Sequence, residues 1–279
     1  MYRASNKKCQ LQSLSAVVLI ICCVSLPALA ESPVDTLKKR GEAFYLRRKA
    51  DKALPFYNQA LAINPNNQMC LMRKAQCLLM IQENEEAMPV INKLLSMGPD
   101  NQGYILLNAL ALTGLGKNEE ALSAARKAYK IDASFIEANI ELARALLNCH
   151  KYDEAQQFLT ERLKRFPHEA ALRKARIKVG CVQSKWEQVC GDCTYFLKDV
   201  KNFTPETVRT LSDRADAYKH LKKYDLAIKD YEEILRIIHD YRPAHVGLKD
   251  VYKLSGNKKM HDKEMKYLES LDVDSQLPI

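Results

Sequence analysis

The sequence predicts an all-α solenoid, a row of helix–turn–helix repeats with closing helices at its C-terminal end. Three observations predict it. The 279 residues include only nine glycines and ten prolines and are 47% hydrophobic, a helix-prone composition with enough apolar material for a sizeable core. A column of small residues returns every 34 positions at Ala53, Ala87, Ala121 and Ala155, continues at Val189, and reappears at Ala227 after 38. Each interval also holds two stretches whose apolar residues recur at three- and four-residue steps, joined by a short polar link.

Residues 1–30 stand apart. Arg3, Lys7 and Lys8 precede the apolar run Ala16–Leu29, and Ala28-Leu29-Ala30 forms a small-x-small cleavage pattern before Glu31. That order is the order of a secretory signal peptide, and the 14-residue run is short of the roughly 20 residues a membrane span needs. The expectation is an extracytoplasmic protein, soluble and without stable membrane insertion after cleavage. A periplasmic or secreted destination fits best. The lumen of the endoplasmic reticulum is disfavoured, because Ser275–Ile279 forms no retrieval signal.

The repeats then follow as 34–67, 68–101, 102–135, 136–169, 170–203 and 208–241. A second column of mostly small residues runs Gly41, Ala75, Ala109, Ala143, Ile177 and Ala215, twelve positions before the first. Small side chains at both columns let paired helices approach to about 8–10 Å. Phe44, Tyr57, Tyr218 and Tyr231 fill the space beside them. Pro65, Pro99 and Pro167 end the second helix of their repeats, since proline lacks an N–H and its ring clashes with the preceding turn. The fifth repeat is divergent, with Ile177, Gly180, Val189 and Cys193 at the packing columns and a short insertion after it; looser packing or a local change of superhelix angle is expected there. Residues 243–270 read as capping helices and 271–279 as a disordered tail.

A 34-residue unit with these columns closely resembles the tetratricopeptide repeat (TPR). Gly41, Phe44, Ala53, Tyr57, Ala60 and Pro65 match all six positions of the family pattern in the first repeat, and the resemblance covers about residues 34–241. It implies a TPR α-solenoid, a right-handed superhelix whose concave face binds a protein or peptide segment. The positions that line this groove in the family are Met72, Arg73, Gln76 and Met80 in repeat two, and Leu106, Leu107 and Leu110 in repeat three. Ile140 and Arg144 follow in repeat four, and Lys174 and Lys178 in repeat five; Arg209 and Asp213 hold such positions in repeat six. The three leucines are expected to form an exposed apolar patch flanked by a basic rim. The family's clamp for chaperone tails is not reproduced: of Lys38, Glu42, Arg73, Gly103 and Leu107, only the first agrees.

Six cysteines lie beyond the signal: Cys70, Cys77, Cys149, Cys181, Cys190 and Cys193. An exported chain permits disulfides, and Cys149, Cys181, Cys190 and Cys193 are the candidates, as Cys181–Cys190 or Cys149–Cys181. The Cys190-Gly191-Asp192-Cys193 pair sits on a repeat's second helix with no strand before it, which favours a structural role over redox exchange.

The sequence shows no glycine-rich phosphate loop, no metal-binding histidine spacing and no serine-nucleophile motif, so a non-enzymatic scaffold without cofactor or metal is expected. The net charge of +9 is spread among 34 acids, which argues against nucleic acid as partner. Two alternatives stay open: a co-chaperone-like holdase for unfolded clients, and a thiol-redox protein using Cys190 and Cys193.

Overall fold

A computed structural model describes residues 32–198 and 203–274. Among them are fourteen α-helices and no strand, an all-α TPR solenoid. The expected signal peptide, part of the insertion and residues 275–279 lie outside the described residues. The chain divides into two compact units, one ending at Val90 and one beginning at Ile91.

The first unit holds α1 (Pro33–Tyr45), α2 (Ala50–Ile63), α3 (Gln68–Met80) and the start of α4 (Asn84–Met97). Ser32 and Asn67 cap α1 and α3 by accepting the backbone N–H of Asp35 and Cys70. Gly41 lies under the Tyr57 ring, where an added Cβ would come within 2.9 Å, so the second column's smallness is a packing requirement. The Tyr57 hydroxyl donates to Glu42, and Tyr57, Ala53, Ala60 and Cys77 are fully buried.

The second unit continues with α5 (Gln102–Gly114), α6 (Asn118–Ile131), α7 (Ile136–Asn148), α8 (Tyr152–Arg165) and α9 (Ala170–Val182). After these come α10 (Trp186–Leu197), α11 (Pro205–His220), α12 (Tyr224–Ile237), α13 (Arg242–Leu254) and α14 (Lys258–Asp274). Leu142, Leu146, Leu159, Leu172 and Val179 form one core across α7–α9. Leu211, Tyr231, Ile234, Leu248 and Val251 form another across α11–α13. Each fully buried leucine or isoleucine is worth about 1.5–3 kcal/mol.

The turns record the repeat most sharply. Arg48, Gln82, Gly116, His150, Ser184, Lys222 and Gly256 all have positive φ, between 56° and 78°, each just after the first helix of its pair. The left-handed step from Lys222 to Gly256 is again 34 residues. The expected capping helices are therefore a seventh pair in the same register, and α14 carries helix to Asp274, past the expected end at 270.

Of the two expectations for the fifth repeat, looser packing is not what its columns show. Val189 and Cys193 are fully buried, and a Cβ on Gly180 would come within 2.7 Å of Val189 Cγ2. The larger residue of each facing pair has moved to the other helix: Val189 now fills the space opposite Gly180, where the first repeat sets Phe44 opposite Ala53. The insertion also has a visible consequence. Helix α11 begins at Pro205, before the expected start at 208, and has 16 residues where the other first helices have 13. Thr204 and Thr207 close a reciprocal capping box on this extra turn.

Candidate partner-binding groove

The expected groove residues separate into three sets. In the first unit, α3 presents Met80 to solvent and Met72 half-buried, whereas Arg73 and Gln76 are committed to neighbours. The Arg73 guanidinium donates to both Glu42 oxygens at 2.9 and 2.7 Å and to Gln76 Oε1 at 2.9 Å, and it lies 4.3 Å over the Tyr45 ring.

Leu106, Leu107 and Leu110 form the second set, and here the expected exposed patch is corrected. Leu106 is 7% exposed and Leu107 4%, while Leu110 is partly buried. Leu106 sits with Ala128 of α6 and Ala138 of α7, packed also against Leu95. The small alanines let α7 stack close enough to close over the leucine.

The third set comes together. Ile140 and Arg144 of α7 with Lys174 and Lys178 of α9 line one cavity of about 510 Å³. Its floor adds Leu147, Ala171 and Ala175, and the extra turn of α11 supplies Pro205 and Glu206 as a far wall, with Arg209 and Asp213 further along. Alanines at the floor leave room that longer side chains would fill. At the rim Arg144 pairs with Glu141, and Lys174 with Glu206. Asp213 is held up at about 6, above its ordinary 3.8, by burial and by the neighbouring Asp216, against the opposing pull of Arg209. Leu147 and Ala171 were not singled out from sequence, although both stand at first-helix positions the family pattern assigns to the groove. The wall at Pro205 and Glu206 had no sequence signal beyond the break in period.

The cysteines are packed among apolar neighbours or set at a helix end rather than paired with one another. All six are free thiols. The disulfides considered, Cys181–Cys190 and Cys149–Cys181, are not formed: Cys149 ends α7 beside Glu119 of α6, while Cys181, Cys190 and Cys193 share an apolar cluster with Ile177, Val189 and Ala217. Burial pushes the Cys181 thiol up to about 11 and raises Cys190 and Cys193 as well, the opposite of an activated thiolate. Between the two cysteines of the pair, Asp192 is buried and accepts from Arg173 at 2.8 Å and from Arg176 at 2.8 and 2.6 Å. Arg214 makes the same bidentate contact to Asp230 one repeat later, at 2.8 and 2.7 Å. No group of three or more histidine, cysteine or acidic side chains among the described residues is arranged to hold a metal ion.

A tetratricopeptide repeat family model matches residues 45–110 and 112–177, and a second model of the same description matches 208–240. No curated protein matches the chain. Among solved structures, a tetratricopeptide repeat protein from Parabacteroides merdae is 17% identical, with 85% of this chain and 93% of that one covered at a TM-score of 0.61. PilW, a widely conserved type IV pilus biogenesis factor, is 15% identical over 78% of this chain and 100% of its own, at a TM-score of 0.69. PilF of Pseudomonas aeruginosa is 14% identical over 81% and 98%, at 0.63. With more than half of its length matched by these models and the left-handed turn recurring through the described residues, the chain belongs to the tetratricopeptide repeat family.

Proposed function

We propose that this protein is an exported, non-enzymatic scaffold that holds a segment of a partner protein in the groove between α7, α9 and α11. The observation that carries this reading is the cavity itself. Its floor of Ile140, Leu147, Ala171 and Ala175 is apolar, its rim is basic, and repeats of this family are protein-binding modules. Burial of an apolar side chain on the floor supplies affinity, and the basic rim supplies orientation and association rate. Export rests on the signal-like residues 1–30, and no helix of the described residues is long and apolar enough to cross a membrane. The thiols fit that setting, since burial protects Cys70, Cys77, Cys190 and Cys193 from oxidants. The likeness to PilW and PilF carries the fold and not a role in pilus assembly.

The test is Ile140→Asp combined with Ala175→Glu, followed by affinity capture from the native compartment. Capture of the wild-type partner should be lost while the helical circular dichroism spectrum is unchanged. Retained capture would place the partner elsewhere. Leucine 107 is the wrong position for this test: an aspartate there would be buried without a partner and would unfold its repeat.

A further inference from the structure

A second cavity, of about 410 Å³, lies on the other side of α11, lined by Phe203, Val208, Ser212, Ile237, Ile238 and Tyr241. Helix α11 is the partition between the two. Glu206 and Thr210 face the first cavity, Val208 and Ser212 face the second, and Pro205, Arg209 and Asp213 border both. These last three are four residues apart, so they form one crest along the helix. Phe203 and Ile237 are each 42% exposed and Ile238 38%, three large apolar side chains gathered at one mouth.

The walls also say what would lie across them. The charged side chains lining the two cavities are four cations, Arg144, Lys174, Lys178 and Arg209, against two carboxylates, Glu206 and Asp213. Arg144 and Lys174 are already paired, so Lys178 and the exposed Arg209 are the cations best placed to meet a new carboxylate. The walls are built mainly of helices, whose backbone N–H and C=O groups pair within the helix, so beyond single side chains such as Thr210 and Ser212 they offer no strand edge to an extended backbone. A partner that satisfies its own backbone fits such walls best, and that is a helix. The crest of a helix is about 10–12 Å across, and two residues seven apart on a partner helix span about 10.5 Å.

We propose that the groove partner is an acidic amphipathic helix lying across α11, with one apolar side chain in each cavity and its carboxylates toward Lys178 and Arg209. This rests on the reading of the first cavity as the partner groove and adds the second cavity and the chemistry of the occupant.

The probes are fluorescein-labelled helical peptides of about sixteen residues, long enough for a helix to form on the protein. One carries two leucines seven apart with glutamates between them; a second has the later leucine replaced by alanine; a third has the glutamates replaced by lysine. Anisotropy titration of the full chain should show the first binding about tenfold or more tighter than either of the others. Ile238→Asp should remove the advantage of the first peptide and leave the single-leucine peptide unaffected, with Phe203→Ser as a second variant at the same mouth. Equal affinity of the one- and two-leucine peptides, or no preference for glutamate over lysine, overturns the proposal. If Ala175→Glu abolishes binding while Ile238→Asp and Phe203→Ser do nothing, the groove stands and the second cavity falls. If Ala175→Glu also does nothing, the groove reading itself falls. A purified dimer that Ile238→Asp dissolves would make the occupant a second copy of this chain and overturn the proposal.

Discussion

Asp213 turns a local burial into a pH dependence of the whole repeat. Its carboxyl sits at about 6 in the folded chain against 3.8 ordinarily, so between about pH 4 and 6 the native state binds the extra proton. The contribution of Asp213 to stability therefore falls as pH rises through that window and is flat above it. Asp213→Asn should remove the slope and stabilise the protein at pH 7 by about 1–2 kcal/mol, solvent screening at this half-buried site having been allowed for. Urea unfolding of both proteins at pH 4, 5, 6 and 7 checks the sign; an Asn variant less stable at pH 7 refutes it. Gly116 isolates a different residue-scale effect. Its φ is +73° and an added Cβ would meet nothing within 4 Å, so Gly116→Ala tests backbone strain without a clash. The expected cost is about 1 kcal/mol in thermal or urea unfolding. The equivalent turn residues Arg48, Gln82, His150, Ser184 and Lys222 already bear that strain.

Between elements, buried charge holds first helix to second in repeats five and six. Asp192 has a 3% exposed side chain and faces two guanidiniums, Arg173 and Arg176, whose side chains are 10% and 17% exposed. Asp192→Asn leaves both cations opposite a neutral amide and should cost about 3–5 kcal/mol. Asp230→Asn, with the single partner Arg214, should cost less, and comparing their unfolding midpoints tests the ranking. This network explains which parts of the molecule were legible in the sequence. The helix pairs could be read because alanine columns and apolar steps are local and periodic. The ion pairs could not: Arg176–Asp192 and Arg214–Asp230 share a sixteen-residue spacing, but one such spacing among many charges means nothing until the fold brings the ends together. Cys190 and Cys193 drew attention as a motif, while the aspartate between them does the structural work. Of the first cavity's lining, family position alone picked out Ile140, Arg144, Lys174 and Lys178. It misjudged Leu106 and Leu107, both buried; Leu106 is covered through Ala128 and Ala138, small residues of other helices that its own helix does not reveal.

Over the molecule as a whole, the seventh helix pair decides how the second unit is finished. Its alanine columns are lost, since Lys249 and His261 stand where the 34-residue period would put them, and so the sequence reads as undefined capping helices. Packing restores the register by other means. A Cβ on Gly247 would come within 2.3 Å of the Tyr231 ring, so glycine there lets α13 close on α12. His245, also buried, faces the Glu264 carboxylate at 2.7 Å through Nδ1 and donates from Nε2 to the His239 carbonyl at 2.9 Å, which ties α13 to α14. Lys258, Lys259, Asp262, Lys263, Lys266 and Glu269 give α14 a charged outer face. Beneath it, Leu248, Val251 and Tyr252 cover Tyr231 and Ile234 of α12. A chain ending at Asp240 uncovers that surface and loses the apolar burial that α13 supplies, so it should melt more than about 10 °C below the full chain and associate through the uncovered face. Gly247→Val should give a milder version of the same loss, because it holds α13 away from Tyr231 without removing it. Thermal melts and sedimentation of the two variants beside the full chain are the check. A truncated chain that stays monomeric and melts within a few degrees of the parent would show that repeat six needs no cover.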